Sequence, residues 1–146
     1  MIATALFIGW VTWLGYLALP SVTPRDVLSH SQFLISQLDV IARIDADPDG
    51  RPTASLRVEE VHWPESAKDL VGKSLTVTNL SQMKDHGFIG PGLYIVPLVK
   101  KDDAYLVAPA PRSPGYDGGS HRFPRIYPAT EQNRHQLAAI PKPSAK

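Results

Sequence analysis

The chain contains no cysteine, and this absence excludes disulfide frameworks, thiolate metal sites and thiol nucleophiles. It leaves the redox compartment of the protein open, because a cysteine-free chain is compatible with either side of a membrane. The formal net charge is only +1, so no overall field directs the chain to nucleic acid or to acidic partners. We therefore expect no nucleic-acid partner.

Signatures of catalysis are missing as well. The five histidines show neither H-x-x-H nor H-E-x-x-H spacing, and no G-x-S-x-G nucleophile motif occurs. Glu59 and Glu60 are adjacent, so on a strand they point to opposite faces and do not form a carboxylate pair. The sequence predicts a protein that is not an enzyme, with no catalytic residues, no cofactor and no metal.

One acidic stretch imitates a metal site. Asp45, Asp47, Asp49 and Gly50 match the opening of a calcium loop of the EF-hand type. The twelfth position of that loop needs a bidentate glutamate and is occupied here by Leu56, and strands are predicted on both sides. We interpret the stretch as a hairpin turn, and a surface calcium site is the alternative.

Charge is absent from residues 2–19, a run of 18 residues. As a helix this run is about 27 Å long, close to the roughly 30 Å hydrocarbon core of a bilayer. Pro20 and Pro24 end it. A secretory signal peptide would show a basic start and a small-residue cleavage site, and neither is present. We predict a retained transmembrane anchor over residues 1–20, followed by a connector over 21–32.

The orientation of this anchor depends on few charges. Only the terminal amine precedes the span, and Arg25 is the nearby basic residue after it. A span with so short a head usually keeps its N-terminus inside and exports the C-terminal part of the chain. We expect a single-pass membrane protein whose soluble domain is extracytoplasmic, in the periplasm.

The predicted span has two faces. Small residues fall together on one face, which allows another helix to approach closely, and two tryptophans lie near mid-span instead of at the interfaces. Lipid-facing packing and contact with another membrane subunit or a bound hydrophobic cofactor both remain open, and the small-residue strip favours the second. The predicted partner contacts of the span are Ala5, Gly9, Trp10, Thr12, Trp13 and Tyr16.

The body of the chain changes to β-type patterning. Five segments rich in β-branched or aromatic residues are bounded by turn residues, as strands are. They cover residues 33–46, 54–63, 73–80, 92–99 and 104–110. Five strands with an insertion after the third is the order of an OB-type barrel, and a small sandwich gives a similar pattern. We predict a mainly β fold, with a five-stranded OB-like barrel or sandwich over residues 33–110.

Three stretches carry a family resemblance: "VEEVHWPESAKDLVGKSLTVTNL", "GPGLYIVPLVKKDDAYLVAP" and "PRIYPATEQNRHQL". Their order of strands, hairpin and late helix resembles the netrin-like, metalloproteinase-inhibitor type of OB domain across residues 33–140. The resemblance implies a barrel used for protein contacts. It transfers no functional residue, because the cysteines of that family are absent here.

The C-terminal part is proline-rich and basic. From residue 109 to the end there are six basic against two acidic residues, whereas residues 25–108 hold nine against twelve. We predict an extended tail over 111–146 with a short helix over 130–140, capped by Thr130 and stopped by Pro141. The helix has too little apolar surface to be stable alone, so it must dock on the barrel or on a partner. The predicted partner contacts of the tail are Arg112, Tyr116, Arg122, Phe123, Arg125 and Tyr127.

These features together predict a non-catalytic, single-pass accessory subunit of a multi-subunit membrane complex, with the bilayer and other membrane subunits as its partners. Energy-transducing complexes, respiratory or photosynthetic, are natural hosts by analogy. The alternative is a membrane-anchored, extracytoplasmic OB-type module that binds a ligand or inhibits an enzyme.

Overall fold

The structure, a computed structural model, describes residues 27–111 and 123–142. This part of the chain is mainly β: six antiparallel strands form an open sheet, accompanied by a few short helices. The strands are β1 (Leu38–Ala46), β2 (Pro52–Trp63), β3 (Ser74–Thr76), β4 (Gly92–Lys101), β5 (Ala104–Val107) and β6 (Tyr127–Pro128). The helices are α1 (His30–Ile35), α2 (Glu131–Ala139) and two 3-10 helices, Glu65–Leu70 and Leu80–Asp85.

The strand order along the sheet is β3-β2-β1-β4-β5, and β6 pairs separately with β4. The two outermost strands of this path approach each other. Val77, directly after β3, forms an isolated parallel bridge with Tyr105 of β5. The amide of Thr78 donates to the carbonyl of Tyr105 over 3.0 Å. The sheet therefore curls until its edges meet at one point.

The hairpin between β1 and β2 is set by one aspartate. The Asp47 carboxylate accepts hydrogen bonds from the amides of Asp49 (3.0 Å) and Arg51 (2.8 Å). Gly50 takes a φ of +69°, which glycine adopts without the steric cost of a side chain. This arrangement confirms the predicted hairpin turn.

The concave side of the curled sheet encloses the larger of two apolar cores. Side chains alternate along a strand, so every second residue of β1 and β4 faces this core, and in β2 a register shift moves the alternation from Val58 to Val61. The second 3-10 helix covers it with Leu80 and Met83, both nearly inaccessible to solvent. The strand residues that fill it include Val40, Ala42, Ile44, Leu56, Val58, Val96 and Leu98.

The convex side of β1 and β4 is buried too. Ile41 of β1 and Ile95 of β4 point outward into a second cluster, supplied by α1, β6, α2 and the residues flanking them. The residues that cover this face are Leu28, Phe33, Tyr127, Leu137 and Ile140. We call α1 and the C-terminal segment 123–142 together the outer cover. The two central strands are therefore enclosed on both faces over part of their length.

Several predicted elements need correction. The segment 33–46 is not one strand: Phe33 belongs to α1 and β1 begins only at Leu38. The strand expected over 73–80 is limited to Ser74–Thr76, and β6 was not predicted. The late helix is confirmed, with Thr130 at its N-cap accepting a hydrogen bond from the Asn133 amide over 3.2 Å.

In residues 27–111 and 123–142, no helix is long and apolar enough to cross a bilayer. The predicted anchor over residues 1–20 lies outside these residues.

Candidate functional site

The C-terminal segment 123–142 docks on its own domain, and this junction contains most of the buried polar chemistry of the described chain. β6 pairs with β4, where Tyr127 lies opposite Ile95. Leu137 and Ile140 of the late helix region are buried in the outer cluster with Ile41. The prediction that this helix must dock on the barrel or on a partner is answered: it packs on the domain itself.

A buried glutamine connects α1 to this segment. The Tyr127 hydroxyl donates to Gln32 Oε1 over 2.9 Å and accepts from the amide of Ser29 over 3.2 Å. Gln32 Nε2 donates to the carbonyls of Ala108 (2.8 Å) and Arg125 (2.9 Å). Because buried polar groups are costly unless bonded, this network fixes the position of α1, the end of β5 and β6 relative to one another.

A second polar junction lies at the last described residue. The ammonium of Lys142 forms an ion pair with Asp39 of β1, whose side chain is fully buried. Lys142 also donates to the carbonyl of Phe33 and to Ser36 Oγ, the latter over 3.0 Å. Ser36 Oγ lies 2.5 Å from Asp39 Oδ1 and donates to it. The C-terminal segment thereby reaches both α1 and the start of β1.

Burial raises the pKa of Asp39 above its ordinary value of 3.8. The hydrogen bonds from Lys142 and Ser36, and the charges of Lys142 and His62, act in the opposite direction and offset part of this effect. Desolvation is the largest contribution, because the carboxyl has lost its water on every side. The ion pair therefore mainly offsets the desolvation cost of burying the carboxylate, and contributes little net stability.

Aromatic rings complete the surroundings of the ammonium. The Lys142 Nζ lies 4.9 Å from the centre of the Trp63 ring and 5.8 Å from that of Phe33. Both distances are within the range of cation–π attraction. A carboxylate, a carbonyl and two rings thus surround one cation that the chain supplies itself.

The predicted tail contacts fall into different environments. Phe123 is 51% exposed and stacks on His86 with ring centres 4.7 Å apart. Arg125 has an exposed side chain whose guanidinium lies 6.0 Å from the Tyr127 ring centre. Tyr127, in contrast, is only 2% exposed, so its side chain serves the packing of the chain itself. Arg112, Tyr116 and Arg122 lie outside the described residues, as do the span residues Ala5, Gly9, Trp10, Thr12, Trp13 and Tyr16.

Phe123 packs on a loop that carries a second exposed apolar residue. His86 beneath it lies in the loop that leads into β4, and Ile89 of the same loop is 82% exposed. The amide of Ile126 donates to the carbonyl of His86 over 3.1 Å, which holds the segment against the loop. We call Phe123, His86 and Ile89 the Phe123 patch.

Several acidic residues of the described chain have structural partners. Asp47 binds amides of its own turn, and Glu60 pairs with Arg134 of α2 over 3.1 Å. Glu59 pairs with Arg43 over 3.7 Å. No group of three or more histidine, aspartate or glutamate side chains suited to hold a metal occurs in the part of the chain that the structure describes.

Sequence reasoning missed the two polar junctions. Asp39 lies beside the apolar run Val40–Ala42 of β1, and a charge next to such a run is a recognisable sign of a buried, paired group. Gln32 and Lys142 carry no comparable sign, because each is polar in a segment of mixed composition.

Comparison of the chain with protein-family models, with curated proteins and with solved structures finds no match. The residues and their geometry are therefore the basis on which a function is proposed.

Proposed function

We propose that the chain is a non-catalytic, single-pass accessory subunit of a multi-subunit membrane complex, with its β domain on the extracytoplasmic side. The observation that carries this proposal is the uncharged run of 18 residues over positions 2–19, followed by a folded domain that begins within ten residues of its end. Its partners are other membrane subunits and the bilayer.

The domain itself is proposed to be an OB-type barrel. Closing the strand path β3-β2-β1-β4-β5 through the bridge between Val77 and Tyr105 gives a five-stranded barrel of that type, with the 3-10 helix Leu80–Asp85 between β3 and β4. This topology supports an OB barrel over a sandwich. It also agrees with the resemblance to netrin-like domains, which implies contacts with proteins.

The polar groups of the domain support a non-catalytic role. A catalytic carboxylate or histidine must face a cleft in reach of substrate. Asp39 instead lies against Lys142 in the interior, Asp47 binds turn amides, and Glu60 pairs with Arg134. The Phe123 patch supplies an exposed aromatic and aliphatic surface, a composition that suits protein contacts.

Co-purification after mild detergent extraction tests the accessory role. The double substitution Gly9→Leu and Trp13→Ala should abolish capture of partner subunits, because it fills the small-residue strip and removes a mid-span ring. Val11→Ala is the matched control, since at 100° per residue Val11 falls on the side away from Gly9 and Trp13. A wild-type chain that migrates as a monomer on native gels would contradict the proposal.

The second candidate is an anchored, extracytoplasmic OB-type binding or inhibitor module. It is favoured by the C-terminal segment 123–142, which packs on its own domain and leaves that domain self-contained. In that case the double substitution in the span should leave ligand binding intact, while Phe123→Ala and Ile89→Ala in the Phe123 patch should reduce it. Ligand binding that is lost on substitution in the Phe123 patch and unchanged by the double substitution in the span would favour this second candidate.

A further inference from the structure

Exposed apolar residues concentrate where the described chain begins. Val27 is 71% exposed, Leu34 56% and Ile35 42%, all within nine positions. The opposite side of α1 is buried through Gln32 and Phe33. The outer side of α1 carries Leu34 and Ile35 beside the polar residues His30 and Ser31, and the described domain leaves these two apolar side chains uncovered.

The remaining large exposed apolar residues of the described chain are scattered. Val71 lies in the turn after the first 3-10 helix, and Ile89 and Phe123 form the Phe123 patch. The Phe123 patch and α1 lie at opposite ends of β4. Ile89 comes just before Gly92, the first residue of β4, which pairs with Ile44 near the end of β1. The chain after α1 meets the other end of β4, where the Gln37 amide donates to the Leu98 carbonyl. Gly92 and Leu98 are six residues apart on β4, which corresponds to about 20 Å along the strand.

Chain length places the outer side of α1 near the bilayer. Eight peptide units join Leu19, the last residue of the uncharged run, to Val27, and such a stretch reaches about 29 Å at most. Two prolines within it, Pro20 and Pro24, restrict its conformations further. Of the exposed apolar surfaces described, the outer side of α1 is therefore the one that the chain holds closest to the end of the span.

The charged residues next to α1 balance one another, so they do not favour a charged partner. Lys100 donates its amide to Gln37 Oε1 over 2.9 Å at the end of α1, and Lys101 follows it. Asp102 and Asp103 come next in the same hairpin, so the local charges cancel. An apolar phase, and not an anionic surface, is the occupant that this composition fits.

We propose that Val27, Leu34 and Ile35 rest on the bilayer interface and fix the domain against the membrane with α1 facing the lipid. The inference builds on the proposed anchor at residues 2–19 and adds a second, shallow contact to it. Apolar faces of interfacial helices sink about 5–10 Å into the boundary between headgroups and acyl chains.

Lipid quenching of a single label tests this contact. The chain has no cysteine, so Leu34→Cys and Ile89→Cys each give one labelling site in the full chain. Both residues are exposed and apolar, which makes Ile89→Cys a matched control on the other end of β4. Each variant carries an environment-sensitive fluorophore and is reconstituted into phosphatidylcholine vesicles with nitroxide-labelled acyl chains, and flotation reports membrane attachment.

We expect quenching of the label at position 34 to be about twofold or more stronger than quenching of the label at position 89, because only position 34 lies at interfacial depth. Quenching at position 34 should persist in high salt, since the contact is apolar. If the protein floats with the vesicles but both labels are unquenched, or both are quenched alike, the contact of α1 is overturned and the proposed anchor is retained. A chain that does not float would overturn the anchor and the contact together.

Discussion

The two faces of the central strands are covered by different means. On the concave face, β1, β2 and β4 meet the 3-10 helix Leu80–Asp85 mainly through apolar side chains, and the Tyr94 hydroxyl adds hydrogen bonds to the Ile89 amide and the Gly90 carbonyl. On the convex face, the outer cover adds two buried polar junctions, at Gln32 and at Asp39, to its apolar contacts. Non-directional packing thus holds the inner core, whereas directed bonds set the position of the outer cover.

This difference has an energetic meaning. The inner core is assembled mainly from residues between 38 and 107, and Ile126 of the C-terminal segment also contributes to it. Disrupting this core unfolds the sheet. The outer cover is attached through the pairing of β6 with β4, its apolar cluster and the two polar junctions, and we expect it to open as a unit of its own. We expect mutations in the two regions to separate global from local unfolding.

The largest effect is expected in the inner core. Leu56→Ala removes a side chain that is 2% exposed and leaves a cavity, so the free energy of unfolding should fall by about 2–5 kcal/mol. Denaturant titration of the full chain in mild detergent measures it. Val71→Ala, at an exposed turn, should change stability by less than about 0.5 kcal/mol. Equal losses for both variants would contradict the assignment of this core.

The next effect should be local. Lys142→Met leaves the buried Asp39 carboxyl without its cation, which costs about 3 kcal/mol when one partner of a buried pair is removed. Hydrogen exchange should show faster exchange in α2 and little change in β2. Arg134→Met breaks the exposed pair with Glu60 and should cost less than about 1 kcal/mol. Uniform acceleration across all strands would show that the cover does not open separately.

A smaller loss is expected at the glutamine network. Tyr127→Phe leaves Gln32 Oε1 and the Ser29 amide without the hydroxyl, at a cost of about 1–3 kcal/mol. The same exchange measurement should locate this loss in α1 and α2. Tyr105→Phe is the control, because the hydrogen bonds described for Tyr105 use its backbone carbonyl. If both variants behave as wild type, the network does not hold the cover.

The smallest effect is a dependence on pH. Because the folded pKa of Asp39 is raised, the native state binds its proton more tightly than the unfolded state does. The resulting stability is present below pH 3.8 and is lost as the pH rises through the folded pKa. Relative to Asp39→Asn, wild-type stability should therefore fall with a slope of at most about 1.4 kcal/mol per pH unit. Parallel curves for the two proteins would contradict this.

Strongly patterned elements were predictable from the sequence. β2 and β4 follow from their β-branched and aromatic composition between turn residues, and the late helix follows from the capping residue Thr130. The prediction of one strand over 33–46 failed because Phe33, Leu34 and Ile35 suit a strand as well as a helix. The burial of Phe33 against Ile95 of β4 and the C-terminal segment is a tertiary contact that local sequence does not show. β6 is two residues long and is defined by pairing alone.

The candidate contacts show the same limit. An aromatic and cationic composition near the C-terminus predicted exposed partners, and Phe123 is exposed. Tyr127 has the same composition around it but lies in the interior, because pairing with Ile95 turns its side chain toward Phe33. Composition does not determine which aromatic residue of a segment faces inward. The register of strand pairing determines it.

The two ends of the described chain leave from one side of the domain. The Leu28 amide donates to Gln136 Oε1 over 3.1 Å, and Lys142 reaches the carbonyl of Phe33. A mechanical load applied between the two ends would therefore act first on these contacts, and α1 and α2 would peel away before the pairing of β1 with β2 came under tension. The outer cover would yield first, with the inner sheet still intact beneath it.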